Sequence, residues 1–217
     1  MGYKYILFDL DGTLTDSAIG ITNSVMYALK KYGIEVNDRS QLYKFVGPPL
    51  QDSFENYYRF SSEQAKMAIK YYREYFSDKG LFENLVYDGI EDLLQVLKDN
   101  KKVLIVATSK SEVFAKQILE HFNLSKYFTC IAGSNLDGTK SKKAEVINYA
   151  LESCNIIDLS KAIMIGDREH DIIGAKYVGI DSIGVLYGYG DRCELEKAGA
   201  DFIAATIAEI EKILLSN

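Results

Sequence analysis

The chain is short of several features, and each shortage excludes something. Its 217 residues contain no run of 18 or more apolar residues, so no membrane-spanning helix is expected. Met1-Gly2-Tyr3-Lys4 leads directly into a short apolar stretch ending at Asp9. The long apolar segment and small-residue cleavage site of a secretory leader are missing there. Cysteine is limited to Cys130, Cys154 and Cys193, an odd number at no metal-like spacing. They are expected to pack in the core, and a cytoplasmic setting is the expectation. Basic residues are outnumbered 25 to 31, for a net charge of −6. That balance argues against binding a nucleic acid polymer, which needs a basic face, but it leaves room for a local phosphate site. Prolines number two, the adjacent Pro48 and Pro49. No internal repeat or low-complexity segment is found.

What is present is ordinary for a globular protein, 47% hydrophobic and 26% charged, and the length suffices for a core without disulfide staples. At roughly 150 residues per domain the chain amounts to about one and a half domains, which suggests one domain with a large insertion, or two small ones. Short apolar, β-branched runs at Tyr3–Phe8, Val103–Ala107, Thr129–Ala132, Ala162–Ile165 and Ser182–Leu186 predict buried strands. Between the later runs, apolar residues recur at helical spacing: Ile90, Leu93, Leu94 and Leu97; Val113, Ala115, Ile118 and Leu119; Ile147, Ala150, Leu151 and Cys154. Such alternation predicts an α/β fold with a doubly wound, Rossmann-like parallel sheet.

Residues 16–83 read differently. They offer helices at Ile21–Tyr32, Ser40–Val46, Leu50–Tyr57 and Glu63–Phe76, with no convincing strand. Ser61 and Gln64 form a capping-box pattern. A helical cap is therefore expected over 16–83, inserted after the first strand of a core made of 1–15 and 84–217. The segment carries nine acidic and nine basic residues, so the core holds the whole negative balance. Tyr27, Tyr57, Tyr58, Tyr71, Tyr72 and Tyr75 are expected in the bundle core. The Val46-Gly47-Pro48-Pro49-Leu50 turn is expected to be a substrate-facing edge, with Gly47 and Pro48 its candidate residues.

The chemistry concentrates at the end of the first strand, in Asp9-Leu10-Asp11-Gly12-Thr13-Leu14. Sites in doubly wound sheets form at the C-terminal ends of strands, and two carboxylates two positions apart can converge there. An isolated Asp-x-Asp is more often a turn or a helix cap. The whole string, however, resembles the signature of the haloacid dehalogenase-like hydrolases, most of which are phosphatases. Three further segments follow in that family's order. Val103 to Lys110 is similar to its second motif, whose Thr or Ser binds the phosphoryl group. Lys140-Ser141-Lys142-Lys143 stands where a basic residue belongs, without the usual prolines. The choice among Lys140, Lys142 and Lys143 stays open, with Lys143 favoured because it is closest to the expected helix start. Ile163 to Asp171, containing Gly166-Asp167 and then Asp171, is similar to the metal motif.

The resemblance implies an aspartyl-phosphate mechanism with Asp9 as nucleophile and Asp11 as general acid–base. It implies Mg²⁺ held by Asp9, Asp11 (through its backbone carbonyl) and Asp167, with Asp171 supporting the metal shell or the lysine. Thr108, Ser109 and Lys143 would hold the phosphoryl oxygens. An all-oxygen donor set suits Mg²⁺ over Zn²⁺ in any case. The expected partner is a small-molecule phosphate ester, met by a monomer or homodimer away from any membrane. The C-terminal pattern from Leu186 to Asp201 is similar to the phosphoglycolate phosphatase-like branch, which includes 5′-nucleotidases. A phosphosugar mutase, or a binding or regulatory protein on an inactive scaffold, are the alternatives. Gly133 to Lys140 nearly spells a P-loop but reverses its last two residues, and Gly188-Tyr189-Gly190 lacks the third glycine of a dinucleotide fingerprint. The first is rejected as a nucleotide-triphosphate site, and the second is read as a loop.

Overall fold

The structure is a computed structural model and describes residues 2–216. Its centre is a six-stranded parallel sheet in the order β5-β4-β1-β6-β7-β8. The strands are β1 (Tyr5–Phe8), β4 (Val103–Ser111), β5 (Cys130–Ser134), β6 (Ala162–Gly166), β7 (Asp181–Val185) and β8 (Phe202–Ala204). β1 lies in the middle, Phe8 pairing with Val106 on one side and Ile165 on the other. Alternate β1 residues serve opposite faces. Ile6 and Phe8 enter one core with helices α4 (Ile90–Asp99), α5 (Glu112–His121) and α9 (Ile207–Leu215). Leu7 enters the other with α6 (Lys143–Ser153) and α7 (Glu169–Val178). Burial on both faces is why the strands read as continuous apolar runs. α8 (Arg192–Ala198) precedes the edge strand β8.

Between β1 and α4 the chain leaves the sheet. A two-residue ribbon, β2 (Thr15–Asp16) with β3 (Leu85–Val86), is antiparallel and brackets α1 (Ala18–Lys30), α2 (Leu50–Tyr58) and α3 (Ser62–Tyr75). The capping box at Ser61 and Gln64 is formed in both directions. Leu42, Phe45, Phe54, Ala65, Tyr72 and Phe76 of this helical segment share one continuous apolar cluster with Phe8 and Ile165 of the sheet, so the segment packs directly on the face it covers.

Several expectations need correction. β2, β3 and β8 carry no sequence signal because each has only two or three residues, too few to show a period. Ser40–Val46 was expected as an ordinary helix but is a 3₁₀ helix over Arg39–Phe45. α3 is continued by a single turn of π-helix, Phe76–Gly80. Tyr72 is buried as expected, but Tyr57 is exposed. Of the cysteines, Cys130 and Cys154 are half-buried and Cys193 is exposed, so Cys193 is not a core residue. Among the described residues no helix is long and apolar enough to cross a membrane.

Candidate active site

The strand register assembles the site. Asp9 follows Phe8 directly, and Thr108 and Asp167 lie two residues beyond Phe8's partners Val106 and Ile165. Three neighbouring strands thus deliver their polar residues to one end of the sheet. Thr108 and Asp167 are fully covered, as are Asp9 and Asp171.

Immediately after β1 the backbone turns tightly. The amides of Leu14 and Thr15 both donate to the Leu10 carbonyl, at 2.9 and 3.0 Å. Gly12 is required in this turn twice over: its φ is +86°, and a Cβ on it would lie 2.2 Å from Asp167 Oδ2. No other residue satisfies both conditions. The turn therefore presses the Asp9 loop against Asp167, and the Thr13 hydroxyl lies 3.4 Å from Asp167 Oδ1.

Lys143, the first residue of α6, is the cation of the cluster. Its Nζ lies 2.8 Å from Asp9 Oδ1 and 2.7 Å from Asp171 Oδ1, and it donates to the Ala107 carbonyl at 3.2 Å. Burial alone would push its pKa down, but Asp171 and Asp9 outweigh burial and raise it. Of the other two candidate lysines, Lys140 sits over the Tyr149 ring at 3.2 Å and Lys142 is the capping residue before α6. The helix starts at Lys143 itself.

Asp9, Asp167 and Asp171 each offer a carboxylate oxygen, all within 4.8 Å of one another. Burial drives the Asp9 carboxyl up to about 6, with Lys143 opposing and Asp171 adding to the rise. Asp167 is pushed well above the usual carboxylate range by burial and by Asp171 and Asp9. One ammonium does not balance three buried carboxylates, and the donor set is oxygen throughout. A hard divalent cation such as Mg²⁺ fits both the charge and the chemistry. Asp171 already uses both oxygens, one on Lys143 and the other accepting the Arg168 N–H at 3.1 Å.

The Asp11 carboxylate lies apart from that cluster. Lys110 donates to both of its oxygens at 2.7 Å, and the Lys110 ammonium also lies 4.8 Å from the Phe76 ring centre. Above Asp11 opens a cavity of about 600 Å³ lined by Ser109 and Lys110 of the core and by Gly47, Pro48 and Arg73 of the helical segment. Its aromatic wall is Tyr72 stacked on Phe76 at 5.3 Å, with Phe114 edge-on to Phe76 at 5.3 Å.

Four residues of this arrangement escaped the sequence reading. Lys110 carries a weak signal, since it directly follows Thr108-Ser109. Thr13 lies within the first motif without a distinguishing feature. Arg168 lies inside the last motif with nothing in the sequence to single it out. Tyr189 lies in the C-terminal pattern with nothing to mark it as a site residue: its N–H donates to Asp167 Oδ2 at 2.8 Å and its hydroxyl to Asp16 Oδ1.

A doubly wound sheet with buried aspartates just beyond its two central strands, the first of them paired to a lysine, defines a class of α/β hydrolases. The chain belongs to the haloacid dehalogenase-like hydrolases, whose family profile matches residues 6–185. It is 44% identical over 215 residues to a 5′-nucleotidase of Pseudomonas aeruginosa, covering 99% of this chain and 97% of that one. It is 38% identical to the tyrosine-protein kinase PtkA of Mycobacterium tuberculosis, over 97% of this chain and 72% of PtkA. A crystal structure described as a predicted phosphatase from Clostridium acetobutylicum matches along the full length of both chains, with 58% identity and a TM-score of 0.98. More distant relatives include a phosphoglycolate phosphatase of Vibrio parahaemolyticus, 25% identical over 97% of this chain and 96% of that one.

Proposed function

We propose that this chain is a Mg²⁺-dependent phosphatase that hydrolyses a small phosphate monoester through an aspartyl-phosphate formed on Asp9. The observation that carries the proposal is the buried Asp9 carboxylate, held by Lys143 and set beside Asp167 and Asp171. A relative named 5′-nucleotidase and a near-identical fold described as a predicted phosphatase support the same reaction class.

In this reading Asp9 attacks phosphorus. The new Oδ–P bond forms as the bond to the leaving oxygen breaks, and Asp11 supplies the proton that oxygen needs. Asp11 then takes a proton from the water that cleaves the intermediate. Covalent catalysis of this kind divides one difficult step into two, and general acid–base help adds about 10²–10⁴-fold. Lys143 offsets the charge of Asp9, while Thr108 and the backbone near Ser109 offer donors for the phosphoryl oxygens. Mg²⁺, held by Asp9, Asp167 and the Asp11 carbonyl with Asp171 in support, would supply the positive charge that lets an anion approach these carboxylates. Because Lys110 occupies both oxygens of Asp11, Asp11 must part from it to reach a leaving group.

Residues 16–83 act as the cap over the core formed by 1–15 and 84–217, and Gly47 and Pro48 contribute its substrate-facing edge. Pockets of roughly 300–1,000 Å³ take ligands of drug size. A cavity of about 600 Å³ with a Tyr72-Phe76-Phe114 wall suits a nucleoside 5′-monophosphate better than the two-carbon phosphoglycolate.

Phosphate release across nucleoside monophosphates, phosphoglycolate and sugar phosphates, with Mg²⁺ and with chelator, tests the reading. Mg²⁺-dependent release led by nucleotides is expected. Inactivity across the panel would overturn the phosphatase assignment, and phosphoryl return to the substrate without phosphate release would favour a mutase.

A further inference from the structure

Arg168 follows Asp167 and is absorbed by none of the roles above. Its side chain is mostly buried, and its Nε donates to Glu194 Oε1 at 2.8 Å. That same oxygen accepts the Glu169 N–H at 2.9 Å, so Glu194 orients the arginine and the first turn of α7 together. The other arm reaches across to the helical segment: Nη1 donates to the Val46 carbonyl at 2.9 Å. Charge-assisted bonds of this type are among the strong ones.

The opposing surface is shaped to receive the arginine stem. Gly47 has φ +100°, and a Cβ there would lie 2.9 Å from Arg168 Cγ. Beside it, the rings of Tyr43 and Tyr189 lie 5.7 Å apart, and Tyr189 is the residue whose N–H holds Asp167. The chain itself joins the helical segment to the sheet only through the two-residue β2–β3 ribbon. A ribbon that short is a pliable connection, so the seating of the segment must be decided elsewhere.

We propose that Arg168 is a positioning residue. It seats the Val46–Pro49 turn on the segment that carries Asp167 and, in the first turn of α7, Asp171, so that cavity closure and carboxylate geometry are set together. Arg168 does not touch the reacting atoms. It reaches the carboxylates through its own N–H on Asp171 Oδ2 and reaches the cavity through Gly47 and Pro48. The turnover consequence rests on the phosphatase reading above, whereas the seating itself does not.

The test uses the whole chain as Arg168→Met, Arg168→Lys and Glu194→Gln. Amide hydrogen exchange in peptides covering 43–51 should accelerate roughly ten-fold or more in Arg168→Met, less in Arg168→Lys and Glu194→Gln, with β1 and β6 unchanged. Turnover should split by substrate. The kcat/KM for a cavity-filling nucleoside 5′-monophosphate should fall roughly 10- to 100-fold, and that for methyl phosphate by several-fold less. The thermal shift produced by Mg²⁺ should persist. Unchanged exchange at 43–51 would overturn the proposal. So would equal losses on both substrates accompanied by loss of the Mg²⁺ shift, since Arg168 would then merely brace the carboxylate loop. Altered exchange in a protein that releases no phosphate from any ester would leave the seating intact and defeat the phosphatase reading instead. Should Arg168→Met fail to fold, the isosteric Glu194→Gln carries the same comparison.

Discussion

The ammonium of Lys110 lies 2.7 Å from each carboxylate oxygen of Asp11, and both side chains are more than nine-tenths buried. A pair this well covered has lost most of its hydration, so each member depends on the other. Replacing Lys110 with Met should destabilise the fold by about 3–5 kcal/mol, the usual cost of stranding a buried charge. The double replacement Lys110→Met with Asp11→Asn should recover much of that loss. Urea unfolding of the single and double variants measures the coupling. A Lys110→Met protein as stable as the parent would show that the pair contributes nothing.

Asp9→Asn should remove turnover, with a fall of about 10³-fold or more, as when other covalent nucleophiles are deleted. The fold should survive, because burial already disfavours the charged form of Asp9. The amide is isosteric and neutral, so near-parental thermal stability is expected in chelator. Single-turnover phosphate release together with a melting curve separates these effects. Full activity in this variant would sink the nucleophile assignment.

Stability should depend on pH in a direction set by Asp9. Its carboxyl is raised from 3.8 to about 6 in the folded chain without metal, so the native state holds a proton that the unfolded state has released. Stability of the chelated protein should therefore fall as pH rises from about 4 to about 6, and this contribution is spent above that. Mg²⁺ prefers the ionised carboxylate and should restore the loss. The rise in Tm produced by millimolar Mg²⁺ should be larger near pH 7.5 than near pH 5. Equal shifts at both values would count against a carboxylate cation site.

Phe76 joins Tyr72, Phe114 and the Lys110 ammonium at the cavity wall. Phe76→Leu keeps an apolar volume but removes the aromatic face. The KM for a nucleoside monophosphate should rise roughly three- to ten-fold, equivalent to about 0.5–1.5 kcal/mol of aromatic contact, with KM for phosphoglycolate nearly unchanged. Parallel steady-state assays on the two substrates read the difference directly.

By itself the sequence determined the alternation of strands and helices, because each core strand is covered on both faces and each helix on one. It also marked a helical stretch between β1 and α4 and the string around Asp9, whose Asp-x-Asp-Gly pattern needs only local spacing to be seen. Asp167 and Asp171 were legible for the same reason, lying in one short segment after an apolar run. Only the tertiary structure decided among Lys140, Lys142 and Lys143 as neighbours of Asp9. Three lysines within four residues look alike along the chain, and what distinguishes Lys143 is the direction imposed by the first turn of α6 and the carboxylates it meets there. The same holds for Lys110 on Asp11, Tyr189 on Asp167 and Arg168 on Val46. Those partners are separated by 99, 22 and 122 residues. Local pattern carries no record of such pairings, because they arise from sheet register and from how the helical segment comes to rest on it.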